Sequence, residues 1–232
     1  MSFIKLDEYE QKARLYPAIL TLPPFLLLNY YYLQFLFGDF IFATLGIIFG
    51  EVSLATILMY FLMEINRFIS KMLLEKTRFN NELIMPTTDF LLHKDTTYSH
   101  EHKNKIREKM SQEFQICWLS RTEENRNEFS ARQQIVERVS RIRAKMKDGR
   151  LILKHNIHYG FARNLIGGSY VALLMSTIAF GLFMMVAPNQ IAALISFIFV
   201  LSYGTLIVLR NFILSELGKN YARVLFQEYL AN

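Results

Sequence analysis

The stretch that decides the fold is Leu165–Ala187, LIGGSYVALLMSTIAFGLFMMVA, followed after Pro188-Asn189-Gln190 by Ile191–Leu209, IAALISFIFVLSYGTLIVL. No Asp, Glu, Lys or Arg lies between Asn164 and Leu209. A helix in water needs a polar face, and neither segment has one. At about 1.5 Å of rise per residue, each can cross ~30 Å of hydrocarbon. A connection as short as Pro188-Asn189-Gln190 forces the two into an antiparallel hairpin.

The same pattern appears nearer the N-terminus. Leu15–Gly38 is free of charge, and the spacing predicts one span over Pro17–Phe37 and a second over Phe40–Met63, with Gly38-Asp39 as the tip. Four transmembrane helices in two hairpins follow. The whole chain of 232 residues is 52% hydrophobic and only 20% charged, which excludes a disordered chain and a soluble enzyme. The lone Cys117 excludes an intramolecular disulfide and any thiolate cluster. Lys5, Asp7, Glu8, Glu10, Lys12 and Arg14 make a mixed-charge opening without a small-residue cleavage site, so Met1–Arg14 is expected as a short interfacial helix rather than a cleaved signal.

Charge asymmetry sets the expected orientation. Of 26 Lys and Arg, none falls between Leu15 and Asn66 or between Asn164 and Leu209, so both hairpin tips lack positive charge. Lys and Arg beside span ends are retained in the cytoplasm. Both termini and Glu64–Arg163 are therefore expected there. The expected organisation is an interfacial helix and first hairpin over 1–63, a basic helical module over 64–163, a second hairpin over 164–209 and a C-terminal tail over 210–232. No strand-like alternation of useful length appears, so the fold class is all-α.

The module holds 20 Lys and Arg against 13 Asp and Glu. The second span is expected to continue as a helix through Phe68, Ile69, Met72 and Leu73, and to break at Asn80-Asn81 and Met85-Pro86-Thr87-Thr88. Ser99 is placed to cap a helix to about Gln115, with Ile106 and Met110 on one face. A further helix is expected from Thr122, with Ile135, Val139, Ile142 and Met146 at heptad spacing, ending at Asp148-Gly149. Because the module is tied to a span at each end, its movement would pull on both; a static anchor would have the same layout. It has no Gly-rich phosphate loop, no Ser-His-Asp setting and no His-Glu-x-x-His, so an enzyme is not expected.

Its densest feature is the run Arg132, Arg138, Arg141, Arg143, Lys145, Lys147, Arg150 and Lys154, opposed only by Glu137 and Asp148. Such a helix suits a polyanion, because each neutralised phosphate releases counterion. Anionic lipid and simple solvation are the competing explanations. Arg138, Arg141 and Lys145 are expected together on one exposed flank, opposite the apolar face. Trp118, Tyr98 and Tyr159 could stack on bases or pack in a core. Glu51, near the middle of the second span, must face water or a partner such as Asn29, as a pore or gating group or as a neutral hydrogen-bonded one. Gly46-x-x-x-Gly50, Gly167, Gly168, Ser169, Gly181 and Gly204 favour close helix approach. The five histidines, including His100, His102, His155 and His158, complete no metal set, and no cofactor is expected.

Three short motifs carry a likeness. They are Tyr9-Glu10-Gln11-Lys12-Ala13-Arg14-Leu15-Tyr16-Pro17-Ala18, then Met85-Pro86-Thr87-Thr88 with Asp95-Thr96-Thr97, and Asn156-Ile157-His158-Tyr159-Gly160-Phe161-Ala162-Arg163-Asn164-Leu165. With the hairpin–module–hairpin layout, they resemble the membrane effector subunit of Hailong-type bacterial anti-phage defence systems. That resemblance implies a homotetrameric, channel-like effector in the bacterial inner membrane, working with a nucleotidyltransferase partner. Its cytoplasmic part would bind single-stranded oligodeoxyadenylate, and loss of that DNA would open it. The resemblance transfers no binding residue, so the site residues rest on charge alone. A non-conducting scaffold or sensor, recruiting a cytoplasmic partner or anionic lipid through the basic helix, fits the same sequence.

Overall fold

The computed structural model describes residues 7–33, 51–147, 149–186 and 188–232, the side chains of residues 32–33, 51–58 and 78 excepted. Among these residues every regular element is a helix and no strand forms, in agreement with the all-α expectation. The chain divides into two compact units. The first joins the described residues up to Met72 with Gly160–Asn211; the second joins Leu73–Tyr159 with Phe212–Asn232.

The first unit opens with α1 (Glu8–Glu10), where the Asp7 carboxylate accepts from the Glu10 N–H at 2.6 Å. A π-helical turn over Gln11–Leu15 leads into α2 (Tyr16–Thr21) and α3 (Pro23–Leu28), and a second π-turn covers Asn29–Leu33. The next helix, α4, runs over Glu51–Ser70. Gly46 and Gly50, and the Glu51 side chain, lie outside the described residues, as do parts of both expected N-terminal spans.

Among the described residues, two helices are long and apolar enough to cross a membrane. They are α10 (Arg150–Met185) and α11 (Gln190–Val208), and they contain the expected spans Leu165–Ala187 and Ile191–Leu209 as far as Met185 and Val208. Ile178, Met185, Ile191, Leu194, Ile198 and Leu201 point outward, an apolar surface that lipid would cover and water would not. The Asn189 side chain caps α11 by accepting from the Ala192 N–H at 3.0 Å.

Small and polar residues carry the packing inside this unit. A Cβ at Gly167 would lie 2.6 Å from Ser70 Cβ, and one at Gly168 would lie 2.5 Å from Asn66 Cγ. Only glycine admits such an approach of α10 to α4. Around it, Asn66 donates to Thr21 Oγ1 at 2.9 Å, Ser70 donates to Asn164 Oδ1 at 3.0 Å, and Asn164 donates to the Ala13 carbonyl at 2.6 Å. The expectation for Gly167 and Gly168 holds. Gly181 and Gly204 meet nothing within 4 Å.

In the second unit the π-turn Lys71–Lys76 and α5 (Thr77–Phe79) end at three residues with positive φ, Asn80, Asn81 and Glu82. Asparagine tolerates this region; glutamate rarely does. Three bonds hold Glu82 there: Thr88 Oγ1 and the Met85 N–H donate to its carbonyl at 2.9 and 3.1 Å, and Arg143 donates to its carboxylate at 2.6 Å. Short α6 (Pro86–Asp89) follows, and then α7 (His100–Phe114), capped by Ser99 as expected.

Two expectations need correction. The helix expected from Thr122 is two helices, α8 (Arg121–Arg126) and α9 (Glu128–Lys145). Ser120 and Glu123 form a capping box on α8, and Asn127 leaves helical geometry to cap α9 through the Ser130 N–H. The segment 210–232, expected as a tail, is α12 (Arg210–Ala231), whose Leu214, Gly218, Ala222, Leu225, Phe226 and Tyr229 are buried. Ala222, Leu225, Phe226 and Tyr229 share one core with Leu91, Ile106, Met110, Ile135, Val139, Ile142 and Ile152. The C-terminal helix therefore completes the module.

Candidate functional site

The basic run does not present eight free cations. Arg132 donates from Nε to Glu128 at 2.7 Å, and from Nη1 to Asp89 and to the Leu83 carbonyl at 2.6 Å each. Arg143 donates to Glu82 and to Thr87 Oγ1. Both guanidinium groups thus fasten the 82–89 turn to α9. Lys145 pairs with Glu113 at 2.6 Å and stands 5.7 Å from the Tyr229 ring. Arg138 donates to the Cys117 carbonyl at 2.8 Å and to Gln134 at 2.9 Å, with its guanidinium 4.5 Å over the Trp118 ring. Burial, and then the nearby Arg107 charge, pull its pKa below the ordinary arginine value.

The expected flank of Arg138, Arg141 and Lys145 is therefore not a free trio, since two of the three are engaged. The physical reason is that Glu113 and the 115–120 segment reach them from elsewhere in the chain. The remaining four, Arg141, Lys147, Arg150 and Lys154, are exposed and have no ion pair to a described residue. They lie on the last turn of α9, the turn after it and the first turns of α10, where Gly149 packs against the Glu228 side chain. Exposed Leu151 sits among them.

A second feature was not foreseen. The chain reverses at Gln115, whose φ is 54°, and returns along α7. Between α7 and the returning segment lies a cleft of about 380 Å³, lined by Asn104, Arg107, Ser111, Gln112, Trp118 and His93 among others. Arg107 is 6% exposed. It donates to His93 Nε2 at 2.5 Å, to Glu124 at 3.2 Å and to the Leu91 carbonyl, and lies 4.8 Å over Trp118; its Nε has no partner. Glu124, also buried, takes the His93 N–H at 2.5 Å. Desolvation of this guanidinium lowers its pKa, and the Glu124 carboxylate opposes that. The indole N–H of Trp118 donates to the Arg107 carbonyl at 2.9 Å.

Of the three candidate stacking residues, Trp118 lines this cleft. Tyr98 meets Phe90 and Phe226 edge-on, and Tyr159 is buried. His155 and His158 have ring centroids 6.2 Å apart. Asn29 is half-buried at the start of the π-turn after α3, and any contact it makes with Glu51 lies outside the described residues. The Arg107–Glu124 pair left no local sign in the sequence, because its members sit on different helices and are joined only by tertiary packing.

No protein-family model, no curated protein and no solved structure matches this chain.

Proposed function

We propose that this chain is a four-span membrane effector whose module is cytoplasmic and binds a single-stranded polyanion that controls conduction. The observation that carries this is the set Arg141, Lys147, Arg150 and Lys154: four exposed cations without carboxylate partners among the described residues, two of them on a helix that continues unbroken to Met185. A ligand bound there acts on the same helix that supplies the third span. In keeping with the resemblance, the ligand is an oligodeoxyadenylate made by a nucleotidyltransferase, and the active form is a homotetramer in the bacterial inner membrane.

The test is binding of a fluorescent oligodeoxyadenylate to the detergent-solubilised protein at two salt concentrations, beside a Lys147→Glu/Arg150→Glu/Lys154→Glu variant. Each phosphate contact contributes a log–log salt slope of about −0.7 for a single strand. The wild type is expected to lose affinity steeply with salt, and the variant to bind weakly at both concentrations. Equal affinity of the two proteins would refute the assignment. Loss of binding to anionic vesicles, with no DNA binding by either protein, would identify a lipid anchor and support the scaffold instead.

A further inference from the structure

The first apolar helix contains three prolines, and each removes a backbone donor. A proline cannot give an N–H to the carbonyl four residues before it, and in hydrocarbon that carbonyl must find another partner. Pro17 leaves Ala13, Pro23 leaves Ile19 and Pro24 leaves Leu20. The structure answers each differently. The Ala13 carbonyl takes the Asn164 amide at 2.6 Å. The Ile19 carbonyl takes the Leu22 N–H, at a long 3.3 Å. The Leu20 carbonyl takes the hydroxyl of Tyr203, from α11, at 2.8 Å.

These replacements are unequal in strength. Before Leu22 the helix is held at several points. Asn164 is itself fixed by Ser70, Asn66 donates to Thr21 Oγ1, and Thr21 returns its hydroxyl to the Pro17 and Ala18 carbonyls. At the break, the Tyr203–Leu20 bond is the one side-chain hydrogen bond that bridges from another helix to Leu20. After the break, the described residues of the helix show no side-chain hydrogen bond to another helix. Leu28 packs against Ala179, Phe183, Ala192 and Ala193, and the Tyr31 ring meets Phe183 edge-on at 5.1 Å, while Leu26 and Tyr30 face outward. The helix then passes into the π-turn Asn29–Leu33, a geometry found where helices adjust.

We propose that Leu22–Pro24 is a hinge in the first apolar helix, and that the Tyr203 hydroxyl, by capping the Leu20 carbonyl, is the latch that holds it in the conformation seen here. Residues 13–21 stay clamped when the latch opens; residues 25–33 move. This inference uses neither the polyanion nor conduction, so it and the proposed function fail separately.

The test uses full-length protein in lipid vesicles, with Cys117→Ser as background and spin labels on cysteines introduced at exposed Leu26 and Ile198. A second pair, at Tyr16 and Ile198, reports on the clamped side. Labelled chains are diluted into unlabelled ones, so that distances within one chain dominate. Tyr203→Phe keeps the ring and removes only the hydroxyl. Interhelical hydrogen bonds in membranes are modest, so the unlatched population should rise roughly three- to fifteen-fold. It should appear as a second distance in the Leu26 pair and not in the Tyr16 pair. Adding Pro24→Ala restores a backbone donor for Leu20 and should remove the second distance from Tyr203→Phe. An unchanged Leu26 distribution in Tyr203→Phe overturns the proposal. So does an equal change in the Tyr16 pair, or a second distance that persists with Pro24→Ala.

Discussion

Replacing Gly168 by alanine puts a methyl group where Asn66 already stands. The added Cβ would lie 2.5 Å from Asn66 Cγ and Nδ2 and 2.6 Å from Oδ1, about 1 Å inside ordinary contact. Asn66 is 1% exposed and its Nδ2 is committed to Thr21 Oγ1, so the amide cannot turn aside without breaking that bond. Overpacking of this kind costs roughly 1–3 kcal/mol. The lost interhelical bond adds about 0.6 kcal/mol, up to ~1.7. The better helix propensity of alanine returns up to ~1 kcal/mol. The net expectation is a destabilisation of about 2 kcal/mol. Gly181→Ala, with nothing within 4 Å of the new methyl, is the matched control and should be neutral or slightly stabilising. Equilibrium unfolding by SDS in mixed micelles, followed by near-ultraviolet circular dichroism, gives both values. Asn66→Ala clears the space, so Gly168→Ala should cost much less in that background than in the wild type. Gly168→Ala unfolding together with Gly181→Ala would refute the close approach of α10 to α4, and so would a cost unchanged by Asn66→Ala.

Three further outcomes follow from the same geometry. Arg132→Ala should destabilise the protein by about 2 kcal/mol, because it leaves Asp89 and the Leu83 carbonyl without their charged donor and Glu128 with Lys94 alone; thermal melting should show this, whereas Lys154→Glu should melt like the wild type. The Lys145 ammonium, and secondarily the Tyr229 hydroxyl, hold the Glu113 carboxyl below its ordinary value of 4.5. A depressed carboxyl contributes stability above its unfolded value and loses it as pH falls through the folded one, so Glu113→Gln should flatten the decline of melting temperature below pH 4.5, and an unchanged decline would count against the pair. A cysteine at Asn104 should resist impermeant thiol reagents applied outside intact cells and react once the cells are opened; ready labelling from outside would overturn the orientation.

Helix type and apolar register were legible because both depend on neighbouring residues. The face holding Ile135, Val139, Ile142 and Met146 is buried as its spacing requires, and the breaks at Asn80-Asn81 and the cap at Ser99 fall where local chemistry puts them. The second hairpin was legible for the same reason, since an uncharged run needs no tertiary information to be recognised. Pairing over long separations was not. Arg143 finds Glu82, Arg107 finds Glu124 and Tyr229 finds Glu113 only after the chain has folded back. The burial of α12 was not legible either, because Ala222, Leu225, Phe226 and Tyr229 find their partners on helices far away in the chain.

Several residues of the motifs that carried the likeness make packing contacts. Tyr9 and Ala13 lie against Gly160, where a Cβ would come within 2.8 Å of the Tyr9 hydroxyl, and Asn164 from the same motif caps Ala13. Pro86 rests on Gly218, while Thr87 and Thr88 fasten Arg143 and Glu82. Each such residue sits where a change of size or polarity would cost the fold something, so chains sharing this architecture would share these motifs whatever they bind. The motifs therefore speak for architecture, and a ligand must be sought among groups the fold does not use. By that criterion Arg132 and Arg143 drop out as structural ties. Lys145 and Arg138 are partly committed, to Glu113 and to Trp118. What is left is Arg141, Lys147, Arg150 and Lys154, which form no ion pair with a described residue, although the Glu228 carboxylate stands beside Gly149. It is on these four, rather than on the density of the whole basic run, that a polyanion-controlled effector stands or falls.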